Sequence, residues 1–261
     1  GHVTQGAALP KGVLEAIVAR TDGVPLFVEE LTKAVLEHAI TPQPSDGASS
    51  RPEPAVSIPT TLQDSLMARL DRLSEGKRVA QLGAALGREF SHELLSALEL
   101  LPQPVVSTGI EQLAAAELLS RAALGGAKVY AFKHVLIQDA AYASLLRSDR
   151  RRYHGRIADV LEARFSDVAQ RQPELIAHHL IEAGRAPEAI APLLAAAQSS
   201  LDRGAGTEAK HHLERARTGA TAILDEAKRW ERELQIEMMF AQAARAADGY
   251  AASAAARVPA T

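Results

Sequence analysis

Apolar residues recur every three or four positions through most of the chain after residue 60, which is the spacing of amphipathic helices. The apolar positions of the first such helix are Leu62, Leu66, Leu70 and Leu73. Thr60 or Thr61 is placed to cap it. A second helix is predicted to end at Gly87, as a left-handed stop, and Ser91 to cap a third. A fourth is expected over residues 105–117.

The pattern changes to a β-hairpin after this fourth helix. Residues 118–124 and 128–132 flank Gly125-Gly126, and the second segment contains Val129, Tyr130 and Phe132. Several short helices followed by a hairpin indicate a winged-helix domain. The rest of the chain is predicted to be helical, with Asp149 capping one helix and with Pro173 and Pro187 each opening another.

The composition between the helical regions also divides the chain. Residues 41–59 contain five prolines among Ser, Gly and Asp, which is typical of a linker. Near the other end, GTEAKHHLERA (residues 206–216) resembles the second helix of a tetratricopeptide (TPR) unit, where small residues allow close packing. We therefore expect a mainly α fold with one β-hairpin, followed by TPR-like helices.

Composition and charge exclude several classes of protein. The 261 residues are 47% hydrophobic and carry a net charge of −3, so no general attraction to nucleic acid or to an anionic membrane is expected. The absence of cysteine excludes disulfides and thiolate metal sites. No uncharged apolar run reaches about 18 residues, and no signal peptide is evident, so we expect a cytoplasmic protein. The opening Gly1-His2, without Met, suggests a fragment.

Several motifs resemble one family of signalling proteins. Within TDGVPLFVEEL (residues 21–31), Gly23-Val24-Pro25-Leu26 resembles the G-x-P motif in the helical lid of STAND-type AAA+ ATPases. Four further segments resemble the subgroup that follows class III adenylate/guanylate cyclase domains in multidomain bacterial regulators. They are IPTTLQDSLMARLDRL (58–73), GREF (87–90), FKHVLIQDAAY (132–142) and AHHLIEAG (177–184).

The resemblance implies a domain order of cyclase, P-loop ATPase, lid, winged helix and TPR repeats. Residues 1–40 would then be a lid remnant, 41–59 a linker, 60–147 the winged helix and 148–261 the TPR-like repeats. It also implies ATP or ADP as the ligand, with Pro25 packed on the adenine and His134 on a phosphate. From the residues alone, Pro25 merely starts a helix and His134 merely caps one, so both interpretations stay open.

The sequence lacks the motifs of phosphate chemistry. A P-loop needs Lys and Ser or Thr after its glycines, whereas Ala7-Ala8 follow Gly6, and Arg78 replaces the hydroxyl after Gly76-Lys77. We find no Walker B strand and no paired aspartates of a cyclase. We therefore expect no catalytic residues, although the parent family combines an ATPase with a cyclase.

The predicted recognition helix argues against DNA binding. Residues 104–117 contain no Lys or Arg and carry Glu111 and Glu117. We expect the basic run RSDRRRYHGR (147–156) to be the solvated start of a helix. An interdomain contact is the second interpretation, and a phosphate clamp and a nucleic-acid contact are further alternatives. No nucleic-acid or membrane partner is expected.

Two histidine pairs raise the question of a metal. His178-His179 and His211-His212 are adjacent, and adjacent residues on a helix point roughly 100° apart, so neither pair can chelate by itself. No carboxylate or cysteine completes a set, so we expect structural histidines and no metal.

The leading hypothesis is a non-catalytic switch and sensor segment of a cyclase-linked signalling ATPase. It would mediate ADP/ATP-dependent autoinhibition and contact a protein partner or the parent's own ATPase and cyclase domains. The alternatives are a fragment of an ATPase–TPR transcriptional regulator and a stand-alone helical adaptor.

Overall fold

The computed structural model describes residues 62–124 and 127–255, and helices dominate them. The predicted mainly α fold is confirmed. The predicted lid segment with Pro25, the predicted linker, the predicted capping residues Thr60 and Thr61, and Gly125-Gly126 lie outside the described residues. The described chain divides into a winged-helix unit (62–96, 101–124 and 127–144) and a helical unit (97–100 and 145–255). None of the described helices is both long and apolar enough to cross a membrane.

The winged-helix unit alternates helices with short strands. Its elements are α1 Leu62–Asp71, α2 Ser74–Leu86, β1 Glu89–Ser91, α3 His92–Ala97, α4 Gln103–Ala115, β2 Leu119–Leu124, β3 Ala127–Phe132 and α5 Val135–Ala143. The strands form an antiparallel sheet in the order β1-β3-β2. This order of helices and strands is that of a winged helix.

The predicted hairpin is present, but the sheet has a strand that the sequence did not reveal. β1 has three residues and pairs with β3 so that Phe90 lies opposite Tyr130. Three residues are too few to show an alternating pattern of apolar and polar side chains. β1 is a strand because its backbone pairs with that of β3. The prediction of a single hairpin was therefore incomplete.

Phe90 links this sheet to α2. Its ring lies 5.9 Å from those of Tyr130 and Phe132, and it covers Gly83. A Cβ at Gly83 would lie 2.6 Å from the Phe90 ring, so only glycine admits the aromatic side chain here. Gly87 ends α2 as predicted, but its φ of +138° and ψ of −168° lie beyond the left-handed helical region, in backbone that only glycine adopts readily.

Two local predictions on the neighbouring helices differ in outcome. Ser91 caps α3, because the backbone N–H of Leu94 donates to its Oγ at 3.0 Å. Asp149 does not cap the next helix: that helix begins at Arg147, and Asp149 lies in its first turn, 2.9 Å from Arg152. A carboxylate is also favourable within the first turn, so the sequence signal was real but its position was wrong.

The helical unit is a succession of packed helices. They are α6 Arg147–Arg164, α7 Ser166–Arg171, α8 Pro173–Glu182, α9 Ile190–Asp202, α10 Gly206–Ala220 and α11 Glu226–Ala255. α6 packs on α8, α8 on α9, α9 on α10, and α10 on α11. Pro173 begins α8 as predicted, and Gly184 follows its end with a φ of +81°. The N–H of Arg185 then donates to the carbonyl of Leu180 at 2.8 Å, which is the hydrogen bond of a glycine helix terminus.

Small residues let α10 approach its neighbours closely. A Cβ at Gly206 would lie 2.5 Å from the backbone nitrogen of Ala247 in α11. A Cβ at Gly219 would lie 2.8 Å from the carbonyl oxygen of Ala186, which precedes α9. Ala209 and Ala216 between them are fully buried. The packing distance of this helix is therefore set by the absence of side chains at its two ends.

We predict that Gly219→Ala destabilises the helical unit while Gly155→Ala does not. Both glycines lie inside helices, so both substitutions gain helix propensity of up to about 1 kcal/mol. At Gly219 the new methyl meets a backbone oxygen, and such overpacking costs about 1–3 kcal/mol. At Gly155 the nearest atom is the Cβ of Ala183 at 3.6 Å, an ordinary contact. Urea unfolding measures both, and an equal change in the two variants would refute the packing argument.

Candidate functional site

His134 occupies the position before the first turn of α5. Its backbone is extended, with φ of −135° and ψ of 144°, and its side chain makes no capping hydrogen bond. The residue is exposed, and Val135 and Leu136 beside it are 52% and 40% exposed. His134 is thus the N-cap residue of α5, as the structural interpretation predicted, although its side chain does not do the capping. The other predicted nucleotide contact, Pro25, lies outside the described residues.

The exposed side of α4 is uncharged or acidic. Ser107, Thr108 and Glu111 are exposed on it, and α4 has no Lys or Arg. Lys133, which directly follows β3, forms an ion pair with Glu117 at 3.7 Å. No described side chain of α4 thus offers a cation to a DNA phosphate.

The arginines of residues 147–156 fall into two groups. Arg152 pairs with Asp149, and Arg156 donates to the carbonyl of Leu98 at 2.8 Å. The other three line a cavity of about 410 Å³ at the end of α8. The residues around it are Leu145, Arg147, Arg150, Arg151, Ile181, Glu182 and Gly184. Two arginines of the basic run therefore make contacts within the fold, and the other three line an open cavity that Glu182 also lines.

A cluster of three histidines lies between α6 and α8. His154 of α6 and His179 of α8 are each 1% exposed, and their Nδ1 atoms are 2.8 Å apart. The exposed His178 stands edge-on to His154, with ring centroids 5.6 Å apart. One ring nitrogen from each of the three residues lies within 4.8 Å of the others. Among the described residues, this is the group of side chains that could hold a metal ion.

The packing of the two helices creates the cluster. His154 shares the buried face of α6 with Ile157, Ala158 and Leu161, so it points at the neighbouring helix. His179 shares the buried face of α8 with Ile176 and Leu180. Because α6 packs on α8, the two histidines meet although they are 25 residues apart in sequence.

Sequence reasoning did not join His154 to the adjacent pair. No fixed spacing connects positions 154 and 179, and each doublet was judged alone. The available signal was a polar residue on the apolar face of a predicted helix, which demands a partner. His211-His212 offers a contrast. His212 is buried near Glu208, at 3.8 Å, and within the described chain no third histidine joins the doublet.

Burial makes the clustered histidines neutral at physiological pH. Desolvation, followed by the nearby His178, lowers the pKa of His154 to about 4. Desolvation and then His154 lower the pKa of His179 to about 3. Partial desolvation by the neighbouring helices also lowers the pKa of His178, although its side chain is exposed at the surface, and Glu182 opposes this shift. With both buried rings neutral, one Nδ1–H donates to the other Nδ1, and Nε2 of His179 has no partner among the described residues.

Comparison with known proteins gives little functional information. No protein-family model matches the chain, and no solved structure matches it. It is similar to uncharacterized protein R02095 of Rhizobium meliloti (strain 1021), with 28% identity over 212 residues. The match covers 80% of this chain and 20% of that protein, so the chain spans about a fifth of its relative's length.

We predict that stability falls as the pH drops from about 6.5 to about 4. The folded pKa values of His154 and His179, about 4 and about 3, lie below the ordinary value of 6.5 that the unfolded chain has. The unfolded chain therefore takes up protons first, and each histidine removes up to about 1.4 kcal/mol of unfolding free energy per pH unit.

Urea unfolding at pH 7.0, 6.0 and 5.0 measures this slope, above the range where carboxylates such as Glu188 protonate. His179→Gln should reduce it, whereas His211→Ala, which changes an exposed ring, should not. Equal slopes in all three proteins would contradict the assignment.

Proposed function

We propose that this chain is the regulatory segment of a cytoplasmic, STAND-type signalling ATPase linked to a class III adenylate/guanylate cyclase. It distinguishes bound ADP from bound ATP and contributes to autoinhibition. It also contacts protein partners, including the ATPase and cyclase domains of the full-length protein. It performs neither hydrolysis nor cyclisation. The family motifs between residues 21 and 184 are the basis of this proposal, together with the following features of the described residues.

The observation that supports it most is the position of His134. An imidazole N–H at the start of a helix is a suitable phosphate donor, and the positive end of the helix dipole reinforces it. In α5 the His134 side chain is exposed and does not cap the helix, so its ring nitrogens are not used for that purpose. The exposed Val135 and Leu136 beside it favour a surface that another protein segment covers.

The helical unit supports the protein-contact part of the proposal. On α11, Trp230, Leu234 and Met238 are spaced by four residues and are each at least 60% exposed. This spacing places them on one side of the helix. Trp is enriched at protein interfaces, and stacked helices usually bind proteins through exposed surfaces. An intramolecular or separate protein partner therefore suits this unit better than a small molecule.

The acidic character of α4 weighs against a DNA-binding role for the winged helix. A recognition helix normally brings cations to phosphates and base edges. In an ATPase–TPR transcriptional regulator, the DNA-binding output would therefore lie in another part of the protein. A stand-alone adaptor differs from our proposal in having no response to nucleotide.

We predict that ADP binds the purified chain weakly, at millimolar concentration, and raises its melting temperature. His134→Ala should weaken this binding about tenfold or more, because a hydrogen bond to a charged group contributes about 1.5–3 kcal/mol. His211→Ala, which changes another exposed histidine, is the matched control. Thermal unfolding with increasing ADP or ATP measures the effect. No ADP response, or the same response in both variants, would favour the adaptor.

We also predict that the chain neither hydrolyses nor cyclises ATP or GTP in the presence of Mg²⁺. The sequence provides no P-loop lysine and hydroxyl to hold the triphosphate and its metal ion. Release of phosphate and of cyclic nucleotide, each measured against a buffer blank, tests this. Turnover that co-purifies with the chain and follows its concentration would overturn the non-catalytic role.

A further inference from the structure

We propose that His154, His178 and His179 bind a divalent transition metal of the zinc class, with one nitrogen from each imidazole as ligand. A water molecule would complete a four-coordinate site. This inference concerns the helical unit alone and is independent of the proposed nucleotide response. The metal would link α6 to α8 where these two helices pack.

The number and chemistry of the ligands fit such an ion. Three histidines with a fourth open position form a recurrent zinc arrangement, and zinc requires the neutral form of each imidazole. The three available nitrogens lie within 4.8 Å of one another. Two of the rings are buried and fixed by packing, while the exposed His178 is able to adjust its side chain. Adjacent histidines on one helix do not chelate a metal by themselves, but His154 on the neighbouring helix adds a third ring nitrogen.

The distances require an adjustment of about 0.5 Å within the buried pair and of up to about 1.5 Å at His178. Zinc–nitrogen bonds of about 2.0–2.1 Å at tetrahedral angles place ligand nitrogens about 3.3 Å apart. The Nδ1 atoms of His154 and His179 are 2.8 Å apart because they share a proton in a hydrogen bond. When a metal binds both Nδ1 atoms, the proton of that hydrogen bond moves to Nε2 of the same ring, so both imidazoles stay neutral. The two nitrogens then need to separate by about 0.5 Å.

A purely structural role leaves part of this pair unexplained. Two buried imidazoles cost desolvation, which their mutual hydrogen bond offsets only in part. Other buried positions of the same two helices hold Ala158 and Ala177. Apolar side chains would therefore serve packing at this interface with less cost than a histidine pair.

The ligand atoms, rather than the surrounding charges, select the type of metal. Glu182 lies one turn beyond His178 and attracts a cation near both His154 and His178. Arg150 near His154 and Arg215 near His178 oppose it. Hard ions such as Mg²⁺ and Ca²⁺ need several oxygen ligands, which the three residues do not provide. Ions that bond strongly to imidazole, such as Zn²⁺, Co²⁺, Ni²⁺ and Cu²⁺, suit the site better.

The experiment titrates the full chain, freed of metal by a chelator, with Zn²⁺ and separately with Co²⁺, Mg²⁺ and Ca²⁺ at pH 7.5. Calorimetry gives the affinity, thermal unfolding gives the stabilisation, and the visible spectrum of the Co²⁺ form reports four-coordinate geometry. The informative variant is His178→Ala, because His178 is exposed and its loss should leave the metal-free fold intact. The matched control is His211→Ala, an exposed histidine beside a buried one without a third ligand.

We expect one Zn²⁺ per chain, a rise in melting temperature, intense Co²⁺ bands and no response to Mg²⁺ or Ca²⁺. His178→Ala should weaken Zn²⁺ binding at least tenfold, since the loss of even an outer-shell partner costs about 10–100-fold. His211→Ala should leave it unchanged. The absence of saturable Zn²⁺ binding would overturn the proposal. Equal affinity in wild type and His178→Ala would overturn it as well, because the ion would then be held by other histidines.

Discussion

The structure depends on backbones that approach one another where a side chain is missing. In the winged-helix unit, a Cβ at Gly109 of α4 would lie 2.7 Å from the carbonyl oxygen of Glu75 in α2. In the helical unit, Gly206 and Gly219 play the same part for α10. With only 4% aromatic residues, the chain has few large side chains to fill wider gaps. It reaches interior packing density by bringing helices close together instead.

The histidine pair is notable against this background. Where α6 meets α8, most buried positions are small or aliphatic, yet His154 and His179 place two imidazoles in contact. A buried polar pair must be satisfied locally, since water does not reach it. This requirement fixes how the two helices face each other more sharply than apolar packing does, because a slip along either helix would separate the nitrogens. The pair thus contributes to specificity of packing even before any ligand is considered.

The sequence revealed the features that local chemistry determines. Gly125-Gly126 between apolar segments indicated the hairpin, Pro173 the start of α8, and Ser91 the cap of α3, since each acts within a few residues. Features that depend on distant partners were missed. β1 exists only as an addition to β3, and His154 acquires its meaning only when α6 packs on α8. Of the candidate site, the sequence singled out His134. It also drew attention to the His178-His179 doublet, which we interpreted as structural, but it did not reveal that His154 joins that doublet.

The chemical character of the described residues bears on what kind of function the chain can have. Its clustered histidines are neutral, its exposed His134 lies at a helix start, and the arginines beside α8 share their cavity with Glu182. Acid–base or nucleophilic catalysis needs a nucleophile within hydrogen-bond reach of an oriented base, and none of these three groups pairs such residues. Each is instead suited to hold a ligand or a neighbouring segment in place. In the regulatory role proposed above, these groups would hold a bound nucleotide or a neighbouring segment of the signalling protein.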